Sequence, residues 1–403
     1  MKINRNILLA ALGLASVVSA SAAAPQEVVY VTGSTAARGA FYNTVANGTT
    51  GIFTAAPAII AYGSTAATAS KATFMEFYGT DAHTGQTLLI TTDWSGSEAG
   101  IQDVSGTGTE GFNVDDSTAF GAAGSVTTPG TQPATVQHTV DLAQADNAKN
   151  YSKEPATTAS SAYDNLAIPF VFVRTTANSA PFAPDLASFN NITADSFQNL
   201  ANGGDQLPLF TGNDADAGFF AYLTGRDDNS GTRVNTFGIT GFGITSLPNQ
   251  IELAAGQLVA INDPTLGSPY YTTEGQSSGG TLAKSLGDTS ATKDLIQDPS
   301  GATVGLIAVA YLGLSDAGTA TAAPFNAVQL SYNGVAYNAT AVEEGTYTFW
   351  GKEYTFLRNA PSAPATWVNG KVIASLKNNT SGFEISQSLL HVTRSGPTTP
   401  PTY

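Results

Sequence analysis

The chain has 403 residues, no cysteine and only three histidines, and its 31 Asp and Glu against 16 Lys and Arg give a formal charge of −15. The missing thiols exclude a disulfide framework and a lipid anchor on a post-signal cysteine, and the spacing of His83, His138 and His391 excludes a Cys/His zinc site. So acidic a surface repels nucleic acid and anionic lipid, and any bound anion has to be gripped locally, against the overall field.

Lys2 and Arg5 precede a short apolar run, "ILLAALGLASVVSA", and then small residues. This predicts a signal peptide over 1–23, cleaved after Ala22 or Ala23, with an apolar core too short to anchor in a bilayer. Its removal takes the formal charge to −17. A soluble periplasmic or secreted chain is expected, since no later stretch reads as a membrane helix. "EVVYVTG" (27–33) reads as a buried strand and "RGAFYNTVANG" as the helix after it. "QTLLITTDWSG" (86–96) is a second strand running into a helix start at "SEAGIQDV". Residues 102–138 are Gly, Thr, Ser and Asp-rich without periodicity, and "VQHTVDLAQAD" (136–146) is extended again. Further on come the strand "NLAIPFVFVRTT" (165–176), a helix capped by Thr193 with Phe197, Leu200 and Ala201 on one face, and the strand "VGLIAVAYLGL" (304–314). Asn333-Gly334 predicts a hairpin, "YTFWGKEYTFL" (347–357) is extended, "WVNGKVIASLKN" is a final helix, and "RSGPTTPPTY" reads as a frayed tail. The alternation of strands and helices argues for an α/β fold.

Three places share one local grammar: a strand, then glycine, a hydroxyl residue and a helix start. They are Gly33-Ser34-Thr35, Gly96-Ser97 and Ser230-Gly231-Thr232, the last inside "GRDDNSGTR" (225–233). The first amides of a helix lack intrahelical partners and carry partial positive charge, so such turns suit an anion, and Ser or Thr adds a hydroxyl donor. Alone, each reads as an ordinary cap, Arg226 as a salt-bridge partner of Asp227 or Asp228, and Asp146 as a turn residue. Asp214 and Asp216 lack the glutamate of a calcium loop, and no serine-hydrolase signature surrounds the histidines. No catalytic residue or cofactor is expected.

"GRDDNSGTR" resembles the Arg-x-Asp-x-Ser-Gly-Thr loop of the periplasmic phosphate-binding proteins that serve ABC importers. "TGSTAARGAFYNTV" and "GSEAGIQDV" are similar to that family's first two anion loops, and "TVDLAQADNAKNYSKE" to the segment ending in its ligand-binding aspartate. "GQSSGGTLAKSL" resembles its second-lobe Gly-rich turn. The resemblance runs in order from about 27 to about 360. It implies a type II, two-lobed α/β protein with two crossover strands: lobe I from 24–168 plus 348–403, lobe II from 169–347. It implies phosphate contacts from Thr35, Ala36, Ser97, Asp146, Arg226, Ser230, Gly231 and Thr232, with Asp228 orienting Arg226. It also implies inorganic phosphate as ligand, arsenate as its analogue, a membrane permease as partner, and a monomer. Arg226 is expected to matter little for stability, as a residue of a polar loop. Insertions near 50–85 and 102–138 depart from the family pattern, as does Ala36, where the family has an aromatic. With the Ser/Thr/Ala/Gly-rich composition they keep open a structural or adhesive envelope protein built on the same fold. An exported phosphatase is disfavoured by the lack of a metal-binding constellation.

Overall fold

Apolar strands broken by glycine turns assemble into one large mixed sheet in the computed structural model, which describes residues 24–106, 108–113, 120–153, 161–176, 186–251, 253–254, 257–258, 275–286, 295–297, 303–378 and 384–403. The signal peptide expected over 1–23 lies outside the described residues. Strands β1 (Glu27–Gly33), β2 (Ala58–Ala61), β3 (Phe74–Thr80), β4 (Thr87–Asp93) and β5 (Leu142–Ala145) lie in the order β2–β3–β4–β1–β5. β1 is parallel to both neighbours, with Val31 opposite Thr92 on one side and Leu142 on the other. β2 and β3 add antiparallel to this edge, so the stretch read only as an insertion extends the sheet.

The second set is β6 (Ser161–Arg174), β7 (Phe219–Leu223), β8 (Thr303–Gly313), β9 (Val328–Tyr332) and β10 (Trp350–Leu357). β10 pairs antiparallel with β5 through Leu357 opposite Leu142, and with β6 from Leu357 opposite Ser161 to Trp350 opposite Pro169. The remainder of β6 pairs with β8 and β9, and β8 runs parallel to β7. Two long strands, β6 and β10, therefore join the two parts of the sheet.

The helices that matter here are α1 (Arg38–Ala46) after β1, α2 (Ser97–Val104) after β4, α3 (Ala194–Ala201), α4 (Gly231–Ile239) after β7, α5 (Gly279–Ser285), α6 (Leu314–Thr321) after β8, and α7 (Ala363–Asn378). Thr193 caps α3 as its sequence predicts, its hydroxyl accepting from Ser196 N at 3.1 Å, and Phe197, Leu200 and Ala201 are buried. One apolar cluster gathers Val29, Phe41, Phe77 and Trp94 with Val368 and Val372 of α7. A larger one gathers Phe172, Phe197, Phe237, Tyr311 and Phe349.

Two local expectations need correction. Asn333 and Gly334 do turn at positive φ (49° and 82°), but the return strand shrinks to a single bridge between Tyr332 and Val335. The tail is not frayed. Thr393 and Thr402 bridge, and the buried Arg394 donates to the Thr348 carbonyl at 2.8 Å and to that of Trp350, with its guanidinium 4.8 Å from the Trp350 ring centroid.

Candidate functional site

β1, β4 and β7 each lead into a turn and a helix, and the three turns meet. Gly33 has φ +117°, and a Cβ there would lie 1.9 Å from the Gln144 carbonyl oxygen, so only glycine lets β1 leave the sheet so near β5. At the first residue of α4 the same test is as sharp. A Cβ on Gly231 would lie 2.4 Å from Ser97 Oγ and 2.6 Å from Asn147 Oδ1, so the start of α4 presses on the start of α2.

Asp146, just past β5, is the hub. Ser34 Oγ donates to its Oδ1, and Thr232 Oγ1 donates to its Oδ2 at 2.8 Å. Its backbone N–H donates to Ser97 Oγ at 3.1 Å, and Asn235 Nδ2 donates to its carbonyl at 2.8 Å. Asp146 is 1 % exposed. Burial pushes it above the usual carboxylate range, while the Ser34 and Thr232 hydroxyls and the Arg226 charge pull it down.

Arg226 is the second anchor. Its Nη1 donates to Thr35 Oγ1 at 3.1 Å, Nε to the Gln276 carbonyl at 2.9 Å and Nη2 to the Ser277 carbonyl at 3.0 Å. Its own N–H donates to the Tyr311 hydroxyl at 3.1 Å. Burial lowers the guanidinium pKa, with Asp227 and then Asp316 opposing it most. These bonds revise the expectation that Arg226 is dispensable for the fold. At 3 % exposure it ties the turn after β7 to the loop before α5.

Thr35, Ala36, Ser97, Asp146, Arg226, Ser230, Gly231 and Thr232 thus gather in one buried neighbourhood. Ala36 N donates to Ser34 Oγ at 3.1 Å, and Ser230 caps α4 by accepting from Arg233 N at 3.2 Å. Asp228 does not join them. It faces outward and pairs with Lys153 Nζ at 3.1 Å, leaving Asp227 as the carboxylate that acts most on Arg226.

Several members carry no signal of their own in the sequence. Asn235 lies one turn beyond Gly231 and also donates to the Gly231 carbonyl at 3.0 Å. Glu98 is buried and accepts from Asn147 Nδ2 at 2.6 Å, Ser152 Oγ at 2.7 Å and Lys153 N at 2.7 Å. Arg38 and Asp316 form a buried ion pair at 3.1 Å between α1 and α6. Among the described residues no group of three or more His, Cys, Asp or Glu is arranged to hold a metal ion, and no helix is long and apolar enough to cross a membrane.

The fold and site define an α/β protein with a buried, donor-rich polar centre where three helix-starting turns converge. No protein-family model matches the chain, and no curated protein matches it. Among solved structures it is similar to a protein of Clostridium perfringens assigned as a phosphate ABC transporter substrate-binding protein, with bound phosphate, at 12 % identity and a TM-score of 0.46 over 89 % of this chain and 99 % of that one. It is also similar to an ABC-type phosphate transport receptor from Vibrio cholerae, at 10 % identity and a TM-score of 0.42 over 86 % and 93 % of the two chains. A third is PstS from Borrelia burgdorferi, at 13 % identity and a TM-score of 0.38 over 90 % and 96 %.

Proposed function

We propose that this chain is an exported solute-binding protein that captures inorganic phosphate for an ABC-type permease. In this reading residues 24–168 with 348–403 form one lobe, 169–347 the other, and β6 and β10 connect them. One observation carries it: Arg226 of the "GRDDNSGTR" loop, which reaches Thr35, and the Asp146 carboxylate, shared by Ser34 and Thr232, are buried together at three helix starts. In a chain of net charge −15, such a concentration of N–H and O–H donors suits a dehydrated oxyanion.

The side chains divide the work. Arg226 supplies the charge, Thr35, Ser97 and Ser230 supply hydroxyls, Thr232 holds the Asp146 carboxylate with its own hydroxyl, and the amides of Gly231 and Thr232 stand at the start of α4, where helix N–H groups lack intrahelical partners. An entering anion takes over the Arg226 contact now made by Thr35. Asp146 accepts from a phosphate oxygen that still carries its proton, which a fully deprotonated oxyanion cannot offer. A micromolar affinity needs about 8 kcal/mol, within reach of a dozen such bonds after the ligand sheds its water. Nothing in this set activates a nucleophile, and the reading requires no catalysis.

Native mass spectrometry of the purified chain is the test. Retention of one phosphate-sized ligand, lost in Arg226→Gln, supports the reading. A ligand-free wild type that also shows no heat on phosphate titration overturns it.

A further inference from the structure

A cleft of about 630 Å³ opens beside the candidate site. Arg38 of α1, Lys71 from the segment between β2 and β3, Lys284 and Thr281 of α5, and Thr319 of α6 line it. Lys71 and Lys284 thus face one opening, while the charge of Arg38 is taken by the buried Asp316 behind the wall, and no Asp or Glu stands among the described residues that line the cleft, although the chain carries 31 of them. Lys71 Nζ reaches Thr319 Oγ1 at 2.6 Å, so its ammonium is held at the cleft wall.

The cleft shares a wall with the buried centre. Gln276 and Ser277 give their carbonyls to Arg226, Gly279 N lies 3.4 Å from Thr35 Oγ1, and Ser278 and Gly280 face the cleft. Its volume falls in the range of pockets that hold whole small molecules, well beyond a lone tetrahedral anion. Cationic groups clustered against an opposing field concentrate polyanions.

We propose that this cleft is a second phosphoryl subsite. One phosphoryl group lies against Arg226 and Thr35, as the phosphate-binding reading above requires, and a further one lies against Lys71 and Lys284. The ligand class then extends to condensed phosphates, of which pyrophosphate is the shortest. Both lysines are at least partly solvent-exposed and stand outside the apolar clusters, so their replacement leaves the core intact.

Titration calorimetry of the full chain with pyrophosphate and with orthophosphate, on wild type, Lys71→Gln/Lys284→Gln and Lys71→Arg/Lys284→Arg, tests it. The glutamine pair is expected to lose about tenfold in pyrophosphate affinity at low salt, with the arginine pair restoring it and high-affinity orthophosphate binding unchanged. A second, weaker orthophosphate lost in the glutamine pair assigns the subsite to free phosphate. Loss confined to pyrophosphate assigns it to the condensed form. Equal pyrophosphate affinity in wild type and the glutamine pair overturns the subsite. Lysine-dependent pyrophosphate binding without any orthophosphate binding overturns the inner-site reading and leaves the subsite standing. A wild type that binds neither overturns both.

Discussion

Glu353 on β10 and Glu384, beside the short pairing of Ile385 with Ala167 of β6, are both buried where the two joining strands meet. Among the described residues neither carboxyl has a hydrogen-bond partner on either oxygen. Burial, with the Asp146 charge adding, pushes Glu384 from 4.5 up to about 8, and burial with the Glu384 and Asp146 charges holds Glu353 well above its usual range. A carboxyl with a raised folded-state pKa binds its proton more tightly in the folded chain. Its contribution to stability is therefore complete below pH 4.5 and is lost as the pH rises through about 8. For Glu384 the shift corresponds to at most about 5 kcal/mol. Glu384→Gln removes this titration, because the amide stays neutral throughout. In urea unfolding across that pH range, the stability of the variant relative to wild type is expected to rise by roughly 2–5 kcal/mol from the acid to the alkaline end. A difference that stays constant with pH would refute the account of this pair.

Three other outcomes follow from particular contacts. If the chain selects phosphate over sulfate as proposed, by an expected margin of about four orders of magnitude, Asp146→Asn is expected to relax that discrimination, because an amide donates to a deprotonated oxygen; calorimetry with both anions reads this, and a wild type that binds them equally removes Asp146 as the selective element. Gly231→Ala forces a Cβ against Ser97 Oγ and Asn147 Oδ1, so it is expected to lower stability by about 1–3 kcal/mol and weaken anion binding together, with an unchanged thermal midpoint counting against the packing described. Arg394→Ala unfastens the C-terminal segment from Thr348 and Trp350 and is expected to cost about 2–4 kcal/mol in chemical denaturation; a change below about 0.5 kcal/mol would mean the segment contributes little.

Much of the chain was legible because local pattern and tertiary role coincide. The β-branched and aromatic runs at 27–33, 87–93 and 303–313 are strands, the last buried from Gly305 to Gly313, and the Thr193 box starts a helix where a hydroxyl and an amide three residues on satisfy each other. The strands at 58–61 and 74–80 escaped notice since "AIIA" is only four residues long and "FMEFYGT" breaks its apolar run with a buried glutamate and a glycine, and both gain their order by adding to an existing edge. The C-terminal segment read as frayed because its anchor is one arginine whose partners are backbone carbonyls about 45 residues earlier, invisible to periodicity. Within the site, glycine and hydroxyl residues before helices announce themselves, whereas Asn235, Glu98 and the Arg38–Asp316 pair are defined by what they touch across the fold. Asp228 misled for the same reason: the neighbouring Asp227 is the one that shares Arg226's buried side.

The most direct test of the central claim is calorimetric titration of phosphate into the purified chain after exhaustive dialysis, alongside Arg226→Gln. One site of micromolar or tighter affinity, weakened by about 2–5 kcal/mol in the variant, is the expected result. No measurable binding by wild type, or the same affinity with and without the arginine, would contradict it.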